Sequence, residues 1–177
     1  MALIVEDGTG VTGAFSYVSL MEAETYIYDM PAATREVWDE LDDNQREHLL
    51  AYATRILDQR ARWHGNKTIP TSALRWPRKN VLDTDALPIG EYVIPGQLKA
   101  AVCDCAAWFA YPGRNPFTIS DSQGIKEIAV DVLRVVYKDG HDATQTVALP
   151  PGLNATLRGL GTIQYGGNSS FAPISKA

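Results

Sequence analysis

One stretch constrains this chain more than any other: residues 95–111, which are apolar nearly all the way round a helix. Leu98, Ala101, Val102, Cys105, Ala106 and Phe109 recur at helical spacing, and Trp108 with neighbouring alanines fills the remaining faces. A helix that is apolar on every side needs partners on every side, so the pattern predicts a central helix with others packed around it. Pro95 suits the first turn, and Pro112-Gly113 ends the helix. At 177 residues, 45% of them hydrophobic, the chain can supply one such core plus tails.

The surrounding helices announce themselves by their caps. Ser19-Leu-Met-Glu22 reads as a capping box opening a helix to about Tyr28, which Pro31 keeps from continuing. A second helical piece is expected over Thr34–Leu41. The clearest pattern, about 43–62, follows Asp42 or Asp43 as cap, with Leu49, Leu50, Ala53, Ile56 and Leu57 forming its apolar face. Residues 66–94 carry Pro70, Pro77, Pro88 and Gly90 and read as a long irregular loop. Leu3–Val5 is a candidate short strand, followed by a loop at Gly8, Gly10 and Gly13 that lacks the Lys-Ser/Thr of a phosphate loop.

Beyond residue 113 the pattern changes. Ile128–Tyr137 is β-branched and alternating, Asp139-Gly140 is a favoured tight turn, and Thr144–Leu149 can return as the second strand of a hairpin. A short helix is expected at about 152–158. The Gly-, Ser- and Asn-rich stretch 162–177, with isolated Tyr165 and Phe171, reads as a disordered tail whose aromatics suit a partner. The expected architecture is mainly α: a small helical bundle with an appended β-hairpin and a flexible C-terminal tail. Its divisions are a helical core over 1–112, a loop and hairpin over 113–150, and a short helix and docking tail over 151–177.

No reacting centre is legible. His48, His64 and His141 are scattered, and no second ligand stands at chelating spacing. Cys103 and Cys105 point to different faces of their helix and read as inert buried thiols. Glu6-Asp7 and Asp83-x-Asp85 read as solvated acidic pairs, with a weak cation site as the alternative. We therefore expect no catalytic residues, no metal, no cofactor and no enzyme activity. The opening residues lack a basic start and meet two acids early, so no secretory leader is expected; with no membrane-length apolar run, the expectation is a soluble protein made in the cytoplasm.

Charge is divided along the chain. The formal net charge is −5, yet residues 19–47 hold nine acids against Arg35 and Arg46, and residues 55–80 hold seven bases against Asp58. Within the basic stretch, Leu74-Arg-Trp-Pro-Arg-Lys79 stands with Arg60, Arg62, Trp63 and Lys67 upstream. Three readings remain open there. Trp63, Arg75, Trp76 and Arg78 could stack on bases and neutralise phosphates. The tryptophans could be core, with the arginines in salt bridges. Or Arg60, Arg62, Lys67, Arg75, Trp76, Arg78 and Lys79 could dock on the acidic face, including Glu36, Asp39, Glu40 and Asp43, of a neighbouring copy.

Several segments together resemble a family of small tailed-phage morphogenesis proteins: Ala2–Gly10, Ser16-Tyr-Val-Ser-Leu20, Ala53-Thr-Arg-Ile-Leu-Asp58 leading to Arg62-Trp63-x-Gly65, Leu74-Arg-Trp-Pro-Arg78 and Ile94-Pro-x-x-Leu-Lys99. The resemblance covers about 1–112 and is looser beyond. It implies a head–tail connector, a virion subunit forming a ring of twelve copies in the neck, between the portal and a downstream neck or tail protein, with genomic DNA passing through the lumen. It also implies a C-terminal segment reaching the portal, for which Gln164, Tyr165 and Phe171 are candidates. Members of the family also carry the label of a DnaT-like single-stranded-DNA-binding protein, which is the alternative function. The acidic balance and the divided charge favour the connector at this stage.

Overall fold

The computed structural model describes residues 3–112, 114, 127–130, 133–136 and 149–164. It is mainly helical. Helix α1 spans Leu20–Tyr28, α2 Ala32–Asp39, α3 Asp43–Arg60, α4 Gly96–Ala110 and α5 Leu153–Thr156. Both expected caps form. Ser19 Oγ accepts from the Glu22 amide while the Glu22 carboxylate accepts from the Ser19 amide, and Asp42 with Gln45 repeats the box at α3. Reciprocal caps fix where α1 and α3 begin, which sets the phase of every side chain after them.

Helix α4 occupies the centre as its composition demands, packing on α1, α2, α3 and α5. Leu98, Ala101, Val102, Cys105, Ala106 and Phe109 are all buried, as is Cys103. Burial pushes the Cys103 thiol up to about 12 and Cys105 further still, so neither is a reactive thiolate near neutrality.

The strands bring several corrections. Val5 makes a lone bridge to Ser16 where a short strand was expected. The helix expected to run to about residue 62 ends at Arg60, and strand β1 takes Ala61–Trp63. In the loop, β2 (Asn66–Lys67) pairs with β3 (Arg78–Lys79). Strands β4 (Glu127–Val130) and β5 (Leu133–Val136) pair antiparallel, with Val130 opposite Leu133. Both fall, but for Glu127, within the run Ile128–Tyr137 expected to be one strand; the expected turn at Asp139-Gly140 and all of its return over 144–149 but Leu149 lie outside the described residues.

The largest correction concerns the C-terminal part. Strand β6, Gly161–Ile163, pairs antiparallel with β1, Ala61 opposite Ile163. The Gln164 amide then donates to the Arg60 carbonyl at 2.9 Å. Leu149, Leu153, Leu157, Leu160 and Ile163 join the core cluster, so the short helix packs on the bundle and Ile163, from the stretch expected to be a flexible tail, is part of the core. Gly161 makes the pairing possible: a Cβ there would sit 2.9 Å from the Arg62 carbonyl oxygen and from the Trp63 ring.

Candidate nucleic-acid interface

Helix α3 carries a second stripe beside its core face. Gln45, His48, Leu49, Tyr52, Arg55 and Gln59 recur at helical spacing and line a groove of about 880 Å³. Leu49, expected in the core face with Leu50, Ala53, Ile56 and Leu57, is only half-buried, while those four are buried. Phe15, Leu74 and Phe109 complete the apolar wall from three other segments. Tyr52 meets Phe109 edge-on, with centroids 5.2 Å apart and an interplanar angle of 64°. Phe15 is 43% exposed within this lining.

Two arginines, Arg55 and Arg75, stand in the groove lining. The Arg55 guanidinium lies 5.1 Å from the Tyr52 ring centre. Burial raises the Tyr52 phenol pKa, and the charges of Arg55 and Arg60 act to lower it. Arg75 is exposed on the rim. Lys67 stands near it: its ammonium is held below the ordinary lysine value by burial first and by the like charge of Arg75 second.

Asp58 is the one acid in the described lining. Its oxygens are already engaged. The Tyr17 hydroxyl donates to Oδ1 and Oδ2 at 2.9 Å each, and the Arg75 amide donates to Oδ2 at 2.9 Å. The same Tyr17 oxygen accepts from the Arg75 and Trp76 amides, both at 3.0 Å. Burial raises the Asp58 carboxyl pKa despite those bonds, and burial followed by the Asp58 charge pushes the Tyr17 phenol well above its ordinary value.

The structure sorts the sequence candidates. Trp76 is fully buried, edge-on to half-buried Trp63 at 6.0 Å and 88°, so it has no free face for a base or a neighbouring copy. Arg78 is buried too, with its guanidinium spent on main-chain carbonyls: Nε on His64 at 2.5 Å, Nη1 on Arg75 at 3.1 Å and Nη2 on Gly65 at 2.7 Å. Both therefore build the loop. Arg62, Arg75 and Lys79 are exposed, Arg60 and Lys67 half-buried. Lys67 Nζ donates to the Ser72 carbonyl at 2.7 Å. Glu36, Asp39, Glu40 and Asp43 are exposed, but Arg46 already bridges Asp39, Asp43 and Glu24 at 3.9, 3.4 and 3.1 Å. Gln164 is tied to Arg60, while Tyr165 and Phe171 lie outside the described residues.

The acidic pairs also separate. Glu6, expected at the surface, is buried and accepts from the Gly8 and Gly10 amides at 2.9 and 2.8 Å, while Asp83 accepts from the Asp85 and Leu87 amides. Among the described residues no group of three His, Cys, Asp or Glu side chains converges on a metal position. None of the described helices is long and apolar enough to cross a membrane.

Sequence reasoning missed Phe15, Tyr52, Arg55 and the Tyr17–Asp58 pair. One signal was present: Asp58 is a lone acid among seven bases.

Comparison with known proteins gives one finding. Neither a curated protein nor a solved structure matches the chain. The matching family is described in terms of single-stranded DNA, and nothing in the comparisons indicates a portal or tail partner, a ring or a head–tail connector. The match spans residues 1–175, and the chain belongs to the family described as "Putative DnaT-like ssDNA binding protein".

Proposed function

We propose that this protein binds single-stranded DNA in the α3 groove, with bases against Phe15 and Tyr52, the latter backed by buried Phe109, and phosphates at Arg55, Arg60, Lys67 and Arg75. The observation that carries the reading is the combination of a concave aromatic wall with a cationic rim. Unpaired bases offer π-faces that stack on aromatic side chains regardless of sequence, and backbone charge is met by arginine and lysine. A duplex keeps its bases stacked inward, so the wall has nothing to grip. The net acidic chain is compatible with this, because its acids gather along α1, α2 and the start of α3, while Arg55 and Arg75 of the basic stretch line the groove. Family membership points the same way. The connector expected from the sequence lacks an equivalent observation.

The test is fluorescence anisotropy of a labelled oligo(dT) strand across a salt series. Wild-type protein should bind with an affinity that falls as salt rises, and the double charge reversal Arg55→Glu/Arg75→Glu should abolish binding. Tyr52→Ala should lose about 1–3 kcal/mol of binding free energy, the usual worth of one base stack. A folded wild-type protein that ignores the strand at low salt yet assembles closed rings in light scattering would return the connector to first place.

A further inference from the structure

We infer that Tyr17, anchored by Asp58, is a positioning residue that sets the Arg75 side chain on the groove rim; the inference rests on the single-stranded-DNA reading of that groove. Arg75 lies in a stretch without helix or strand, between Ser72 and Pro77. Its amide and that of Trp76 have no main-chain acceptor among the described residues; their partners are the Tyr17 oxygen and, for Arg75, Asp58 Oδ2. The phenol is saturated. It donates its single proton to Asp58 and accepts two amides, which is everything a tyrosine hydroxyl can do.

This arrangement explains an acid where phosphate would bind. A free carboxylate beside Arg75 would repel the DNA backbone and compete for the guanidinium. Here the carboxylate's hydrogen bonds go to the Tyr17 hydroxyl and the Arg75 amide; the Arg75 charge still acts on Asp58, but no ion pair within 4 Å joins the two side chains among the described residues. Asp58 comes from α3, Tyr17 from the segment before α1 and Arg75 from the loop before β3. The phenol therefore fastens the rim to the helix that carries Tyr52 and Arg55. Nucleic-acid contacts lose strength quickly when the donor is misplaced, so the anchor matters for binding as well as for folding.

A double-mutant cycle in full-length protein separates the two roles. Arg75→Ala should weaken oligo(dT) binding and flatten the slope of log affinity against log salt by about 0.7, one phosphate contact on a single strand. Tyr17→Phe should weaken binding several-fold and flatten the slope in the same sense. In the Arg75→Ala background Tyr17→Phe should have no further effect on affinity, while lowering the melting temperature equally in both. Asp58→Asn, which keeps one carbonyl oxygen for the Arg75 amide, should lose less affinity than Tyr17→Phe. The inference is overturned if Tyr17→Phe lowers melting temperature but leaves affinity and slope at wild-type values, or if its effect on binding adds fully to that of Arg75→Ala. Wild-type protein that binds no strand, or an Arg75→Ala variant that binds like wild type, removes the groove reading and this inference with it.

Discussion

Arg78 and Arg75 stand three residues apart in one basic run, and their fates are opposite. Composition cannot separate them, because an arginine beside a tryptophan suits a nucleic-acid surface and a loop clamp equally well. Geometry does: three main-chain carbonyls from two segments converge on the Arg78 guanidinium, while the Arg75 side chain stands at the rim. Gly65, whose carbonyl is one of the three, has φ +62°, and a Cβ there would collide with the Lys79 carbonyl oxygen. The clamp thus needs both a glycine turn and a planar fork. Arg78→Lys keeps the charge but cannot span three acceptors. It should cost about 2 kcal/mol in urea unfolding, the scale for losing buried hydrogen bonds to a charged donor. A loss below about 0.5 kcal/mol would mean that the clamp contributes little beyond packing.

At the scale of elements, what was legible had a local cause. The α1 and α3 boundaries follow from reciprocal caps, and α4 from an apolar pattern too broad for one contact face. The hairpin was legible only as a kind. A long alternating β-branched run does not state where it folds back, and a turn dipeptide nearby draws the register to itself. The α3 groove stripe was hidden because the same helix carries two adjacent faces, and Leu49 fits either. The cap of α1 also reaches across the bundle: Lys99 Nζ of α4 bonds the Glu22 carboxylate at 2.5 Å. Burial alone would raise the Glu22 pKa, but hydrogen bonds from Lys99 and Ser19 more than offset it and hold the carboxyl below its ordinary value. A depressed carboxyl stabilises the fold above the unfolded-state pKa, and that contribution is lost as pH falls through the folded-state value. The Glu22 side chain is 44% exposed, so solvent screening trims the effect. Glu22→Gln should therefore cost about 0.5–1 kcal/mol near pH 7 and almost nothing near pH 2, read as converging melting temperatures.

Across the whole molecule, the feature least visible in the sequence is the closure of residues 161–163 onto residues 61–63. Pairing across about a hundred residues leaves no local trace, and a Gly-, Ser- and Asn-rich C-terminal stretch reads as tail by composition. Yet Leu160 and Ile163 are buried, and β6 pairs with β1 beside the end of α3, where the Gln164 amide bonds the Arg60 carbonyl. That closure ties stability to the proposed groove, because β1 continues directly from the helix that carries Tyr52, Arg55 and Arg60. Removing residues 162–177, which a disordered tail would tolerate without loss of fold, instead strips Ile163 from the core and two of three paired positions from β1. Burial of one isoleucine contributes about 1.5–3 kcal/mol, so the truncated chain should unfold at lower urea by that amount or more. Ile163→Ala in the full-length chain should reproduce most of the same loss, since it empties the site without touching the residues beyond it. If the truncation melts like wild type, β6 is dispensable and the C-terminal part is a tail after all; if it melts early and also binds oligo(dT) more weakly, the closing strand supports the end of α3 on which the arginines stand.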